Sequence, residues 1–122
     1  MRQALFILKA CTVFSAAHSI YGHRRCGEIH GHNYRVCIWV REKEPLEIDL
    51  DYLEKWLREN VYNRFDHKFL NKLLGRGSYA ETITAEYIAE YIAGMLEKDL
   101  PGRVARVEVC ETDDLCAIYE PS

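Results

Sequence analysis

Two histidines separated by one residue are the first group in this sequence that could bind a metal. His30 and His32 stand where the chain enters a strand pattern, so their side chains point to the same face. His18 ends the preceding strand pattern, and an antiparallel hairpin through residues 19–29 would bring its ring close to the pair. Three imidazoles and one open position are the usual arrangement of a catalytic zinc. The spacing predicts a zinc site, with an exposed or structural role for the histidines as the alternative.

A cysteine four residues before the first of these histidines adds a second chemical group. Cys26 has three interpretations: a small buried residue, a fourth metal ligand that closes the site, or a thiolate that acts as base or nucleophile beside the metal. A neighbouring divalent cation favours the thiolate form, and Arg24 and Arg25 would add to that effect.

Carboxylates and one more histidine lie further along the chain. Asp66 and His67 are adjacent, which is typical of a solvated turn but also allows an acid/base pair. Glu111 continues the apolar face of a strand and must therefore be paired with a cation or bind a ligand. A salt bridge to Arg103 or Arg106 is the structural alternative.

Four strands and two helices are expected to position these groups. Apolar, β-branched and aromatic residues predict strands over residues 5–17, 33–41, 103–111 and 116–120. Helical spacing of apolar residues predicts helices over residues 50–61, with Asp49 or Asp51 as cap, and 84–96, with Thr82 as N-cap. The Pro101-Gly102 pair ends the second helix. The element order is β, β, α, α, β, β, an α+β arrangement.

Composition limits the functional class. A chain of 122 residues with 48% hydrophobic content fits one domain over residues 1–122, and neither a signal peptide nor a membrane span is expected, so we predict a cytoplasmic protein. A formal charge of −3 argues against nucleic acid as a partner. Five unevenly spaced cysteines argue against a disulfide scaffold and for free thiols.

An ordered series of short motifs carries a family resemblance over nearly the whole chain. The motifs are FSAAH at 14–18, CGEIHGHNY at 26–34, DHKFLN at 66–71, TAEYIA at 84–89 and VEVCET at 107–112. In order and separation they resemble the 6-pyruvoyl-tetrahydropterin synthase family. The short spacing from Cys26 to the HGH motif is similar to its 6-carboxy-5,6,7,8-tetrahydropterin synthase branch, which serves queuosine and archaeosine (7-deazaguanine) biosynthesis.

The resemblance implies a fold, a reaction and a role for each candidate residue. It implies the tunnelling fold (T-fold), an antiparallel four-stranded sheet with two helices on one face, assembled as a homohexamer of two trimers with active sites between subunits. The implied enzyme is a lyase that converts 7,8-dihydroneopterin triphosphate to 6-carboxy-5,6,7,8-tetrahydropterin, with loss of acetaldehyde and triphosphate. Zinc would be held by His18, His30 and His32. Proton transfer would fall to Cys26, Asp66 and His67. The pterin would be bound by Glu111, Thr84 and Glu86.

Three alternatives share these residues. A 6-pyruvoyl-tetrahydropterin synthase would retain all side-chain carbons of the substrate, and an aldolase-like enzyme would leave a 6-hydroxymethyl product. A non-enzymatic zinc-binding module would need Cys26 for metal retention, whereas the enzyme would need it for turnover. Where the family usually has proline before the threonine of TAEYIA, this chain has Ile83.

Overall fold

The computed structural model describes residues 5–20, 28–74 and 82–121 of the chain. In chain order the strands are β1 (Phe6–His18), β2 (His30–Glu42), β3 (Val104–Thr112) and β4 (Leu115–Tyr119). They form one antiparallel sheet in the order β1-β2-β3-β4. This arrangement confirms the predicted α+β fold class with its four-stranded sheet.

The helical segments lie between β2 and β3 in sequence. Helix α1 (Leu50–Leu57) continues through a π-helical turn (Arg58–Tyr62) into α2 (Asn63–Phe65), so the first predicted helix is longer than expected. A short helix α3 (Leu70–Leu74) was not predicted, and α4 (Ala85–Asp99) is the second predicted helix.

The ends of the two main helices show how local sequence sets their bounds. Asp49 caps α1 by accepting a hydrogen bond from the backbone N–H of Asp51, one of the two caps expected. The predicted cap Thr82 of α4 is wrong, because Thr84 takes that position and accepts from the N–H of Tyr87. Gly102 follows α4 with φ of 74°, a conformation that costs glycine little.

The helices cover one face of the sheet and leave the other uncovered. Residues of even number in β1 and β2 point towards the helices, and their partners in the core include Leu53, Phe65, Ile88 and Ile92. His18, His30 and His32 belong to this covered face, at the end of the β1–β2 hairpin. The metal ligands proposed from sequence therefore sit at one end of the core rather than on an exposed surface.

Two cross-strand cysteine pairs on the uncovered face contradict the expectation of free thiols. The register sets Cys11 opposite Cys37 and Cys110 opposite Cys116, and each pair forms a disulfide. The expectation was wrong for these four residues because sequence separations of 26 and 6 do not show which residues meet across a sheet. Among the described helices, none is long and apolar enough to cross a membrane.

Candidate metal centre and proton-transfer pair

The β1–β2 hairpin brings the three histidines together. His18 lies directly opposite His30 at the last rung of the two strands, and His32 is two residues further along β2 on the same face. The ring centroids form a triangle with sides of 4.6, 4.9 and 5.0 Å. One nitrogen from each ring lies within 4.8 Å of the other two, so the three rings converge on a common point.

Backbone carbonyls decide which ring nitrogens face that point. The Nδ1 of His18 is 2.7 Å from the carbonyl oxygen of Ile83, and the Nδ1 of His30 is 2.8 Å from that of Glu28. A carbonyl only accepts, so each Nδ1 carries the proton and each Nε2 keeps its lone pair. Burial lowers the pKa of His18 and of His32, which favours the neutral imidazole that a metal needs.

Glu111 approaches two of the three histidines, His18 and His32. A β-bulge between Cys110 and Thr112 interrupts the β3–β4 register, and Glu111 lies within it. Its Oε2 is 3.1 Å from the Nε2 of His18 and 3.6 Å from that of His32. The expected alternative, a salt bridge to Arg103 or Arg106, is not formed, because these arginines bond to other carboxylates, Glu47 and Glu120.

The donor set fits a divalent cation. With the proton of His18 on Nδ1, its Nε2 and the Oε2 of Glu111 are both acceptors, and two acceptors 3.1 Å apart repel each other unless a cation or proton lies between them. Within the described residues, Nε2 of both His18 and His32 is buried without a hydrogen-bond partner. Imidazole nitrogens with a nearby carboxylate are ligands that zinc accepts.

Tyr34 lies beneath the histidines, and sequence reasoning gave it no role beyond the apolar stripe. Its ring is fully buried, stacks on Phe14 at 5.3 Å and meets the edges of His18 and His32. Burial, and then the charge of Glu111, raise the pKa of Tyr34 well above its ordinary range, so the hydroxyl stays protonated. This hydroxyl has no hydrogen-bond partner among the described residues.

Asp66 and His67 end the first helical segment and attach to the edge of β1. Asp66 is the C-cap of α2, and His67 follows with φ of 60°, the left-handed conformation usually left to glycine after a helix. The N–H of His67 donates to the carbonyl of Ser15 at 2.6 Å, and the N–H of Ala17 donates to the carbonyl of Lys68 at 3.0 Å. The pair is thus fixed to the sheet, whereas a solvated turn would leave it free. A strained non-glycine residue held by its surroundings is typical of functional sites.

The hydrogen bonds of Asp66 set the chemistry of His67. One carboxylate oxygen accepts from the N–H of Ser15 at 2.9 Å, and the other is 2.8 Å from Nδ1 of His67. The bond from the Ser15 N–H, and then that from His67, lower the pKa of Asp66, so it remains a carboxylate that accepts the Nδ1 proton. The His67 ring is exposed, so its Nε2 is accessible to a ligand.

One cavity in the single chain is lined by one residue of this pair, His67, and by one of the candidate metal ligands, His32. It has a volume of about 510 Å³, and its lining includes Ser15, His32, Asn33 and His67. A ligand in this cavity can approach both a candidate metal ligand and the free nitrogen of His67. A divalent metal held by the histidines would supply Lewis acidity at one side of this cavity, and His67 could accept or donate a proton at the other.

The expected pterin-binding residues lie on the other side of the centre. Glu86, in the first turn of α4, and Glu111 line a second cavity of about 430 Å³ that runs along β4. The hydroxyl of Thr84 is occupied in capping α4. The carboxylates of Glu86 and Glu111 thus face the second cavity. Thr84 acts in the structure as the N-cap of α4.

A buried asparagine that sequence reasoning left without a role supports the end of β1. Asn71 accepts a hydrogen bond from the N–H of Ser19 at 2.8 Å, and its amide donates to the Ser19 carbonyl and hydroxyl at 3.0 and 3.2 Å. Ile83 also donates its N–H to the Ser19 carbonyl, a bond that proline could not make at this position because it has no N–H. In the sequence, the sole indication of a role for Asn71 was its place as the last residue of the DHKFLN motif.

Several candidates lie outside the described residues. Cys26 is among them, as are the cations Arg24 and Arg25. The three histidines, Asp66, His67 and Glu111 are all described, and the structure brings the histidines and Glu111 into contact.

Comparison with known proteins now adds to this geometry. The sequence profile of the family described as 6-pyruvoyl tetrahydropterin synthase matches residues 7–122. The chain belongs to the 6-pyruvoyl tetrahydropterin synthase family. The predicted enzyme class, a lyase of the tetrahydropterin synthase type, is confirmed at the level of this family.

Relatives within the tetrahydropterin synthase family are similar over most of their length. A protein of Archaeoglobus fulgidus named putative 6-carboxy-5,6,7,8-tetrahydropterin synthase is 38% identical over 112 residues, which cover 88% of this chain and 90% of the relative. The 6-carboxy-5,6,7,8-tetrahydropterin synthase of Synechocystis is 34% identical over 116 residues, covering 87% and 86%.

A solved structure supports the fold assignment. The 6-pyruvoyl tetrahydropterin synthase of Caenorhabditis elegans superposes with a TM-score of 0.83 at 24% identity, covering 100% of this chain and 99% of that one. At this identity the likeness establishes the fold alone, and it confirms the predicted T-fold.

Proposed function

We propose that this chain is a zinc-dependent carbon–carbon lyase that converts 7,8-dihydroneopterin triphosphate and one water molecule to 6-carboxy-5,6,7,8-tetrahydropterin, acetaldehyde and triphosphate. The observation that carries the proposal is the convergence of three imidazoles, one of which, His32, lines a cavity together with His67, the hydrogen-bonding partner of Asp66. The names of the Archaeoglobus and Synechocystis relatives support the carboxy product. The product would enter a queuosine or archaeosine pathway in a cytoplasmic setting.

The metal ligands in this proposal are His18, His30 and His32. Zinc, when bound, would supply Lewis-acid chemistry that makes the C–H next to a hydroxyl of the substrate side chain more acidic. The protein's part is to hold the ligands ready: the carbonyls of Ile83 and Glu28 accept the Nδ1 protons of His18 and His30, and burial lowers the pKa of His18 and His32, which favours their neutral rings.

Proton transfer falls to Cys26 and His67. Asp66 holds the Nδ1 proton of His67, so Nε2 can accept a proton from the substrate side chain and later return it. Cys26 would serve as the second group, since a thiolate beside a divalent cation is stabilised at neutral pH. With both groups in the site, protons can move along the side chain before the triphosphate leaves and the carbon–carbon bond breaks.

Binding of the pterin ring is assigned to Glu111, Glu86 and Thr84. A carboxylate opposite the 2-amino group and a ring N–H of the pterin forms two charge-assisted hydrogen bonds. Both glutamates line the cavity along β4, which supports this assignment. Glu111 also lies 3.1 Å from His18, so the pterin would be held with its side chain towards the metal.

We further propose a homohexamer of two trimers in which sheets join at their edges. Both edge strands and the uncovered face carry exposed apolar side chains, which are Phe6, Ile7, Val13, Leu115 and Ile118. Such a surface favours association with other copies. Light scattering coupled to size-exclusion chromatography would report the mass, and a monomer at micromolar concentration would contradict this part of the proposal.

The reaction is tested by one incubation of zinc-loaded protein with dihydroneopterin triphosphate and mass analysis of the pterin and the volatile product. We expect a 6-carboxy product with acetaldehyde. A pyruvoyl product that keeps all side-chain carbons would support the 6-pyruvoyl alternative, in line with the description of the family profile. A 6-hydroxymethyl product would support the aldolase-like alternative.

Matched variants separate catalysis from folding and metal retention. Asp66→Asn should lower kcat at least about a hundredfold, because loss of general acid–base catalysis costs at least that much, while zinc content is unchanged. Asp51→Asn, which changes an exposed aspartate in the first turn of α1, is the control and should keep normal kcat. Cys26→Ala should keep the metal and lose turnover. Loss of zinc from Cys26→Ala, with no turnover in the unmodified protein, would instead support a non-enzymatic zinc module.

A further inference from the structure

The uncovered face of the sheet carries a second group of metal-binding side chains, away from the histidines. Cys110 and Cys116 lie opposite each other on β3 and β4, and Glu108 is two residues before Cys110 on the same face. The two sulfurs and a carboxylate oxygen of Glu108 lie within 4.8 Å of one another. None of the three belongs to the histidine centre, and only Cys116 also lines the cavity along β4 to which the pterin ring is assigned.

We propose that Cys110, Cys116 and Glu108 form a second site for zinc or a similar thiophilic divalent ion, which opens when the disulfide is reduced. Thiolates and carboxylates are both zinc ligands, and three protein ligands leave a fourth position for water. Zinc–sulfur bonds of about 2.3 Å in tetrahedral geometry set the two sulfurs roughly 3.8 Å apart. The Cα atoms of the pair are 3.9 Å apart, so rotation of the side chains alone can separate the sulfurs that far.

Charge and access around the pair fit a bound dication. Two thiolates and one carboxylate carry three negative charges, which a divalent ion reduces to one. The guanidinium of Arg35 lies 3.7 Å from the Cys110 sulfur and balances the remaining charge. Cys110 is buried, whereas Cys116 is exposed, so an ion can enter from the side of Cys116.

The other disulfide provides an internal comparison. Cys11 and Cys37 are also paired across two strands of the uncovered face. Among the described residues, no third histidine, cysteine or carboxylate donor lies within 4.8 Å of both their sulfurs. Reduction of this pair should therefore create two thiols without creating a comparable metal site.

The opening step needs a reductant, which we take to be a dithiol. The dithiol gives two electrons and two protons to the Cys110–Cys116 bond and itself becomes a disulfide. The two protein thiols then lose their protons to solvent as their sulfurs bind the metal. Oxidation by a disulfide reverses both steps and expels the ion, so the site is gated by the redox state of the protein.

The experiment counts bound metal in the full-length protein before and after reduction. Samples are treated with a non-thiol phosphine reductant or left oxidised, equilibrated with zinc, freed of excess metal and measured by elemental analysis. We expect one additional zinc per chain after reduction, whatever the number held by the histidines. Cys116→Ser and Glu108→Gln are expected to remove this additional zinc or weaken its binding roughly tenfold or more. Cys37→Ser, the matched control, should retain it.

Cobalt shows which residues hold the additional ion. Cobalt bound to thiolates gives an intense near-ultraviolet charge-transfer band that imidazole ligands do not give, and this band should appear only after reduction. It should persist in Cys26→Ser and disappear in Cys116→Ser. The proposal is overturned if reduction adds no metal, if the added metal persists in Cys116→Ser, or if the band depends on Cys26 alone. Glu108→Gln keeps both cysteines, so the disulfide can still form in this variant. Its zinc content therefore tests the site even if a cysteine variant fails to fold.

Discussion

Replacing Asn71 by alanine tests how the end of β1 is held in position. The side chain is 4% exposed and makes three hydrogen bonds with Ser19, the residue that follows His18. Each such bond contributes about 1 kcal/mol, so the variant should lose about 3 kcal/mol of unfolding free energy. A loss of that size would lower the Tm by roughly 10 °C in a chain of this length.

Asn60→Ala is the matched control. Among the described residues, Asn60 makes one side-chain hydrogen bond, from its amide to the carbonyl of Trp56 within the helical segment, and alanine favours the helix. Its replacement should change the unfolding free energy by about 1 kcal/mol or less. Urea unfolding of both variants gives the comparison, at one protein concentration because association adds to apparent stability.

Zinc affinity shows whether Asn71 positions His18 or only contributes to the overall stability of the fold. Movement of Ser19 would displace His18, so Asn71→Ala should also bind zinc roughly tenfold more weakly, measured by competition with a chelator well below the Tm. Asn60→Ala should bind zinc as the unmodified protein does. The reasoning is refuted if the two variants lose equal stability, or if Asn71→Ala unfolds more easily but binds zinc with unchanged affinity.

Three further outcomes follow from single features of the structure. Leu46 is 84% exposed at φ of 64°, so Leu46→Gly should stabilise the fold by about 0.5–1 kcal/mol in urea unfolding, and a loss of stability would contradict this. Burial lowers the pKa of His18 and His32 from the ordinary value of 6.5. An NMR titration of the metal-free protein should therefore find both rings half-protonated only below pH 6.5. A titration midpoint above pH 6.5 would argue against the buried geometry. The bond from Arg103 lowers the pKa of Glu47 to about 2 from an ordinary value of 4.5. The stability that the Glu47–Arg103 bond contributes is therefore present above about pH 4.5 and lost as the pH falls towards 2. Glu47→Gln should flatten the pH dependence of the urea unfolding midpoint in that range. An unchanged pH dependence would exclude Glu47 as a source of this stability.

Periodic patterns in the sequence predicted the elements well. The alternation in β1 and β2 placed His18, His30 and His32 on one face, and helical spacing located α1 and α4. These predictions succeed because side-chain direction in a strand or helix depends on residue number alone. The N-cap of α4 was misassigned because Thr82 and Thr84 are equally good capping residues, and only the backbone at the helix start distinguishes them.

Contacts between distant residues were harder to predict. The disulfides depend on strand register, and no pattern within β1 or β4 alone reveals the residue opposite. The approach of Glu111 to His18 depends on a bulge in β3, which inserts one residue and has no clear sequence signal here. The support from Asn71 was missed for the same reason, since its partner is 52 residues away.

The sequence by itself determined the kinds of chemistry available: three imidazoles on one strand face, an adjacent Asp-His pair, and a carboxylate ending an apolar strand. It also determined the family, because the family profile matches residues 7–122. Only the tertiary structure decided which ring nitrogens of His18 and His30 face the common point, which carboxylate approaches the histidines and which cysteines meet. These depend on hydrogen bonds and register between segments far apart in the chain, and such contacts are fixed by packing of the whole sheet against its helices.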